Sequence, residues 1–312
     1  MPPKTKFDPT RPVDFTTVAG KTAIITGGAS GIGLGFATAL ATHGAQVFIL
    51  DINDAGGREA ETQLRAKNSQ ATFIDTDFTS WESQLEAFKQ ILEQSQNGRI
   101  DIVITSAGVA SPNIKLAWLP EEGEDLPTEP SKPPTPAISA NLLGTYYTTH
   151  LALSSFVRQQ QRQSSPSRPQ LLLIAGLPAY FGQDFNPDYT ASNHGMRGIF
   201  KSLRQPDVAR KFGDYRINLL APAFVATPML AGVEEMLVWR GARVGEVGSV
   251  VEAGMRCVCG EGGGGRAVCV GGAEEGSGGA FDVGDDVEGG NGVRIVERLE
   301  EGVFGKMYGN AT

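Results

Sequence analysis

The chain has 312 residues, of which 40% are hydrophobic and 20% charged, with a formal net charge of −8. That length fits one large α/β domain or two ordinary ones, and the apolar content is ample for a core. The acidic balance, with no Lys/Arg cluster, argues against nucleic acid or an anionic membrane surface as partner.

Three cysteines, an odd number, give no disulfide framework. Cys257 and Cys259 are too close and too few for a zinc site, and His43, His150 and His194 are scattered, so no metal is expected. The opening residues, MPPKTKFDPTRPVDF, carry charge and proline but no apolar run, so no secretory signal is read there. No apolar stretch is long enough to span a bilayer. A soluble, cytoplasmic protein is the expectation.

Residues 1–20 read as a loose arm. "KTAIITGG" then reads as a strand and "GIGLGFATALATHG" as an amphipathic helix closed by Gly44. "AQVFILDIN", "ATFIDTDF" and "IDIVITSAGV" read as further strands, separated by the helical patterns "GGREAETQLRAKN" and "WESQLEAFKQILEQSQNG". Strands apolar nearly throughout, alternating with helices, predict a parallel sheet covered on both faces: a Rossmann-type, doubly wound α/β fold. A proline- and acid-rich excursion at 111–137 interrupts this order and reads as a solvated surface segment. After it come the helix "AISANLLGTYYTTHLALSSFVRQQQRQ", the strand "PQLLLIAG", a helix opened by Tyr189, and the strand "YRINLLAPAFV". "SVVEAGMRCVCG" has helical spacing and "GRAVCVGG" reads as a final strand. The single domain is therefore drawn over 21–272, with 273–312 as a glycine-rich tail.

"TAIITGGASGIGLG" places Gly27, Gly31 and Gly33 between a strand and a helix. A dinucleotide pyrophosphate needs such a turn, because free N–H groups and the helix dipole stabilise its charge and a Cβ would hold it away. The spacing, G-x-x-x-G-x-G, differs from the general G-x-G-x-x-G fingerprint. Asp51 ends the second strand, 18 residues after Gly33, near the offset of an acid that binds a ribose 2′-hydroxyl. A carboxylate there repels a 2′-phosphate, and no Arg or Lys follows until Arg58, so NAD is favoured over NADP. Ser30 lies between the glycines.

These residues resemble the short-chain dehydrogenase/reductase family, classical type, and most closely its fungal secondary-metabolism members. "TGGASGIG" resembles the family's T-G-x-x-x-G-x-G turn, and Asp77 in "DTDF" the acid that contacts adenine. "TSAG" resembles the N-N-A-G element, with Ser106 at the second asparagine. Asn141 matches the asparagine of the middle helix, and "APAFVATPM" the P-G-x-x-x-T segment facing the carboxamide, with Ala223 for glycine and Thr227 kept. The resemblance runs from about Thr22 to Gly272. It implies cofactor contacts from Gly27, Ser30, Gly31, Ile32, Gly33, Asp51, Ile52, Asp77, Phe78, Ser106, Ala107, Gly108, Tyr189, Asn193, Pro222, Val225 and Thr227. It also implies a homodimer or homotetramer built through the helices containing Asn141 and following Tyr189.

In the family a tyrosine exchanges the proton on the substrate oxygen while hydride passes to or from the nicotinamide. A lysine four residues on lowers its pKa and holds the ribose, a serine thirteen residues before it binds the same oxygen, and the helix asparagine supports a water relay. Tyr189 and Asn141 stand at their places, but the lysine position is Asn193 and the serine position Gly176. An unperturbed phenol titrates near 10, and the cation that would lower it is missing. Asn193 projects one turn from Tyr189 and is expected to bond a ribose hydroxyl, while His194, about 100° further around the helix, is expected to pack. Met229, Leu230, Met236, Leu237 and Trp239 read equally as a lid over an apolar substrate or as helix core. The leading function is an NAD-dependent oxidoreductase acting on a hydroxyl or carbonyl of an apolar small molecule. The alternatives are a non-redox isomerase, dehydratase or cyclase, or a cofactor-binding pseudoenzyme, on the same fold.

Overall fold

Alternate residues of the central strands enter opposite layers, which is why these runs are apolar throughout. In a computed structural model the described residues are 7–96, 98–110, 129, 132–162, 168–183, 186–239, 242–260, 264–271 and 279–283, with Pro206 and Met236 described in backbone only. Among them, β1 (Thr22–Thr26), β2 (Gln46–Asp51), β3 (Ala71–Asp75), β4 (Ile102–Thr105), β5 (Gln170–Ile174), β6 (Arg216–Pro222), β7 (Ala267–Val270) and β8 (Ala280–Asp282) form one sheet. Its order is β3-β2-β1-β4-β5-β6-β7-β8, parallel except for the antiparallel β7–β8 edge.

Ala23, Ile25, Val47 and Ile49 pack on one face with Phe36 and Leu40 of α1 (Gly31–Thr42) and Val250 and Val258 of α8 (Val247–Cys259). Ile24, Phe48 and Leu50 face the other way. They meet Phe88 and Ile91 of α3 (Trp81–Gln94), Phe156 of α4 (Thr145–Arg162) and Phe200 of α5 (Pro187–Leu203). Each large side chain so buried stabilises the fold by about 1.5–3 kcal/mol. α2 (Asp54–Arg65) covers the β2–β3 side through Ala60 and Leu64, and α6 (Pro206–Lys211) and α7 (Glu234–Trp239) are short. The doubly wound parallel fold expected from the alternation is present.

Strand order reverses between β1 and β4, so the helices diverge there and leave a crevice at the carboxyl ends of the strands. Gly27, Asp51, Ser106, Gly176 and Pro222 all lie at or just past such ends.

Both chain ends differ from expectation. Residues 7–20 are not a loose arm: Phe7, Val13, Phe15 and Val18 pack on the α1/α8 layer, and Asp14 caps the 3-10 turn Phe15–Val18. β8 lies beyond residue 272, in the segment expected as a tail. Asp282 pairs with buried Arg266 at 2.6 Å and accepts the Phe7 N–H at 2.8 Å, so one carboxylate ties the first described residue to the last strand. The expected surface excursion at 111–137 lies largely outside the described residues. Among the described residues, no helix is long and apolar enough to cross a membrane, no cluster could hold a metal, and all three cysteines are free thiols.

Candidate active site

The glycine turn is shaped by contacts that leave no room for side chains. Gly27 has φ +64° and Gly31 φ +51°, a region that disfavours any Cβ. A Cβ on Gly27 would lie 2.6 Å from Ala107 Cα, and one on Gly33 would lie 2.0 Å from the Gly27 carbonyl oxygen. The turn therefore presses against the β4 end on one side and folds onto its own helix on the other. Ser30 is exposed at the N-cap of α1 and makes no capping bond with its side chain. Asp51 aims at the turn, one carboxylate oxygen accepting the Ala29 N–H and the other the Asn53 N–H, each at 3.0 Å.

This cradle fits a dinucleotide: backbone N–H groups at a helix N-terminus, close approach guaranteed by glycine, and a carboxylate at the next strand end. Ile52 is exposed beside it. One carboxylate oxygen of Asp77 accepts both the Thr79 N–H and hydroxyl, fixing the turn after β3. Phe78 and Val225 are core side chains, so only their main chain is available to a ligand. Across the crevice, the Ser106 and Ala107 N–H groups both donate to the Thr26 hydroxyl at 3.0 Å. Thr227 closes the mouth: a Cβ on Gly31 would lie 3.3 Å from its methyl group. Thr227 follows Pro222, the last residue of β6.

Asn141 sits in a π-helical turn, Ile138–Gly144, that runs into α4. Its amide oxygen accepts the Val109 N–H at 2.8 Å and its amide nitrogen donates to the Val109 carbonyl at 3.0 Å. Both ends of the side chain are thus used to brace the segment after β4, and Gly108 gives it room, a Cβ there lying 3.3 Å from the Asn141 oxygen.

Tyr189 stands in the first turn of α5, half-buried, and its phenol faces the segment after β5. A Cβ built on Gly176 would lie 3.5 Å from the Tyr189 hydroxyl, so a side chain at this position would adjoin the phenol. Burial pushes the phenol above its ordinary value, and the Asn193 hydrogen bond acts the other way without overturning it. Among the described residues, no cation adds to these two influences.

The expected bond from Asn193 to a ribose is corrected. Asn193 is 1% exposed; its oxygen accepts the Gly176 N–H at 2.6 Å and its nitrogen donates to the Tyr189 carbonyl at 2.8 Å. A buried amide takes the partners that would otherwise be orphaned. His194 is neither packed nor near the phenol: it is exposed, its ring nitrogen 3.1 Å from the Thr190 carbonyl. The segment after Thr227 divides. Leu237 is buried, Leu230 half-buried, Met229 and Trp239 exposed, and the Met236 side chain lies outside the described residues.

The residue-by-residue reading missed three participants: Thr26, which holds the Ser106 and Ala107 N–H groups, and Ala29 and Val109, which act through main chain alone. The threonine at the head of the glycine motif was the available signal for the first. Main-chain partners leave none.

Comparison with known proteins places this geometry. Residues 21–237 match the family described as short chain dehydrogenase. An NADP-dependent dehydrogenase M3 of a Phoma species is 39% identical over 306 residues, 95% of this chain and 88% of the relative. A 5′-hydroxyaverantin dehydrogenase of Dothistroma septosporum is 36% identical, covering 89% of this chain and 91% of its own. Among solved structures, a 3-ketoacyl-(acyl-carrier-protein) reductase from Brucella melitensis complexed with NADH superposes with a TM-score of 0.66. It shares 22% identity, over 81% of this chain and 97% of that one, and speaks for the fold.

Proposed function

This chain belongs to the short-chain dehydrogenase family, and from that premise we propose that it is an NAD-dependent oxidoreductase acting on a hydroxyl or carbonyl of an apolar small molecule in secondary metabolism. Oxidoreduction with a nicotinamide cofactor is the family's chemistry. The finer reading rests chiefly on one observation: the Tyr189 phenol lies beside Gly176, at the sheet edge that also carries the glycine cradle and Asp51.

When bound, the nicotinamide exchanges hydride with the substrate carbon. Gly27, Ser30, Gly31, Ile32 and Gly33 would hold the pyrophosphate, and Asp51 and Ile52 the adenosine ribose, with Asp77 and Phe78 beside the adenine. Ser106, Ala107 and Gly108 on one side, and Pro222, Val225 and Thr227 on the other, would flank the nicotinamide half. Tyr189 moves the proton on the substrate oxygen, and Asn141 and Asn193 hold the frame around it. The preference for NAD is supported by Asp51 and by the engagement of Arg58, the next cation in sequence, with Asp54 at 2.8 Å. Met229 and Trp239 offer exposed apolar surface to the substrate.

Assembly as a homodimer or homotetramer is supported by an apolar groove between α4 and α5, lined by Tyr146, Leu153, Val157, Ile199, Leu203 and Phe212. Free thiols agree with a reducing, cytoplasmic setting. The test is thermal: NADH is expected to raise Tm more than NADPH at equal concentration, and NADH to be consumed with an apolar ketone. A larger shift with NADPH overturns the role given to Asp51, and no shift with either overturns the cofactor reading.

A further inference from the structure

The loop after β3 and the turn carrying Asn141 meet at one buried side chain. Gln84, one turn into α3, has no exposed surface. Its amide nitrogen donates to the Phe78 carbonyl at 2.8 Å and to the Gly144 carbonyl at 3.1 Å. Its amide oxygen accepts the Thr148 hydroxyl at 2.7 Å. Both protons of the nitrogen are thereby used, each on a different segment. Gly144 ends the π-helical turn Ile138–Gly144, and a Cβ there would lie 2.7 Å from the Phe78 carbonyl oxygen, so the two segments also touch directly. The same turn presses on α5, the helix of Tyr189, where a Cβ on Gly195 would lie 2.6 Å from Leu142 Cδ1. Through Asn141 it braces Val109. π turns are rare and are frequent at functional sites.

We propose that Gln84 is a positioning residue that couples the two ends of the dinucleotide site. It joins the Asp77 and Phe78 loop, beside the adenine, to the Ser106, Ala107 and Gly108 segment, beside the nicotinamide, by way of Gly144, Asn141 and Val109. This rests on the nicotinamide-cofactor reading above and adds how one end of that site sets the other. A displaced Phe78 carbonyl either carries Gly144 with it or breaks a hydrogen bond that no water is at hand to replace. A ligand that orders the loop therefore orders the π turn, and by reciprocity a ligand at the nicotinamide end orders the loop. An amide with a structural role alone would stabilise the fold without linking the ends, and the two roles differ in what a ligand at one end does at the other.

Adenosine monophosphate supplies the adenine end alone, and nicotinamide mononucleotide the other. In the unmodified protein, adenosine monophosphate is expected to slow amide hydrogen exchange in its own loop, and by about 5-fold or more in the turn Ile138–Gly144 and at Val109. Nicotinamide mononucleotide should slow exchange in the Asp77 and Phe78 loop in return. Gln84→Met keeps the length and loses the polar contacts. In that variant adenosine monophosphate should keep its affinity and protect its own loop, the remote protection should vanish, and the Kd of NADH should rise about 5-fold or more. Should Gln84→Met fail to fold, Gln84→Glu, which keeps the shape and loses the amide donors, is read the same way. Thr148→Val removes a buried hydroxyl from the same network and leaves both carbonyl contacts of Gln84, so it should lower Tm and keep the remote protection. Remote protection that survives in the Gln84 variant overturns the proposal, as does protection confined to the occupied end in the unmodified protein. Its loss in Thr148→Val as well marks a general loosening and overturns the positioning role. These outcomes leave the cofactor reading intact. No protection and no Tm rise with either fragment or with NADH overturns that reading and the coupling with it.

Discussion

The two halves of the crevice are built from different materials. At the β1–α1 turn the work is done by backbone, with glycines that let main chain approach main chain and a carboxylate held by two N–H groups. At the β5–α5 end the residues in contact are Gly176, which has no side chain, Asn193, which is neutral, and the Tyr189 phenol. The first half is held by main chain, and the second by a neutral amide. Asn193 shows how: its buried amide satisfies the Gly176 N–H and donates to the Tyr189 carbonyl, so the loop and helix stay together without a charged group. Geometry and electrostatics in one site are therefore separable.

That contrast can be broken from the catalytic side. Gly176→Ser with Asn193→Lys should raise kcat for a simple ketone by several powers of ten. A tuned acid/base is worth ~10²–10⁴ and an oxyanion donor ~10²–10³, and groups acting as a unit do not multiply. Unchanged turnover, measured under saturating cofactor, removes the electrostatic explanation. Next, Tyr189→Phe should lower kcat about 10²-fold or more while leaving the cofactor-induced Tm shift in place. Loss of that shift would mean that Tyr189 holds cofactor and not only proton.

From the other half, Gly33→Val should abolish the Tm rise on adding NADH, because its Cβ overlaps the Gly27 carbonyl oxygen. The turn must open by an amount that costs about 1–3 kcal/mol, as overpacking does. A pH profile sharpens the comparison further. A phenol raised by burial stays protonated through neutrality, so ketone reduction should be flat across that range. Alcohol oxidation, which needs the phenolate, should climb about tenfold per pH unit towards and beyond 10. In the Gly176→Ser, Asn193→Lys protein that limb should move to lower pH. Finally, Asn193→Ala leaves the Gly176 N–H unpaired, while the Tyr189 carbonyl keeps the Ser192 hydroxyl at 2.7 Å, and should cost about 1–3 kcal/mol, read as a lower Tm. An undiminished Tm would show that the amide is no clamp.

Much of the frame was legible before any coordinates. The strands β1, β2 and β4 are apolar nearly throughout, as a sheet buried on both faces requires. Gly27 and Gly33 stand where close approaches leave no room for a Cβ, and Gly31 where a positive φ favours glycine. Other parts were not legible. β8 is three residues long among glycines, and what holds its end is Arg266, 16 residues away, and the Phe7 N–H, 275 away. The residues up to Val18 read as a loose arm because the ones that pack, Phe7, Val13, Phe15 and Val18, are scattered among charges and prolines with no regular period. Asn193 read as facing a ribose because helical spacing tells where a residue projects relative to Tyr189, not which group it meets.

The sequence alone determined the sheet, the glycine cradle and the neutral residues at 176 and 193, because periodicity, Cβ sterics and charge are properties of the residues themselves. Only the tertiary structure decided that Asn141 braces Val109, that Asn193 clasps Gly176 from 17 residues away, and that Gly176 adjoins the phenol. A hydrogen bond is settled by whichever unsatisfied group the fold brings within reach, and that is a fact about neighbours in space.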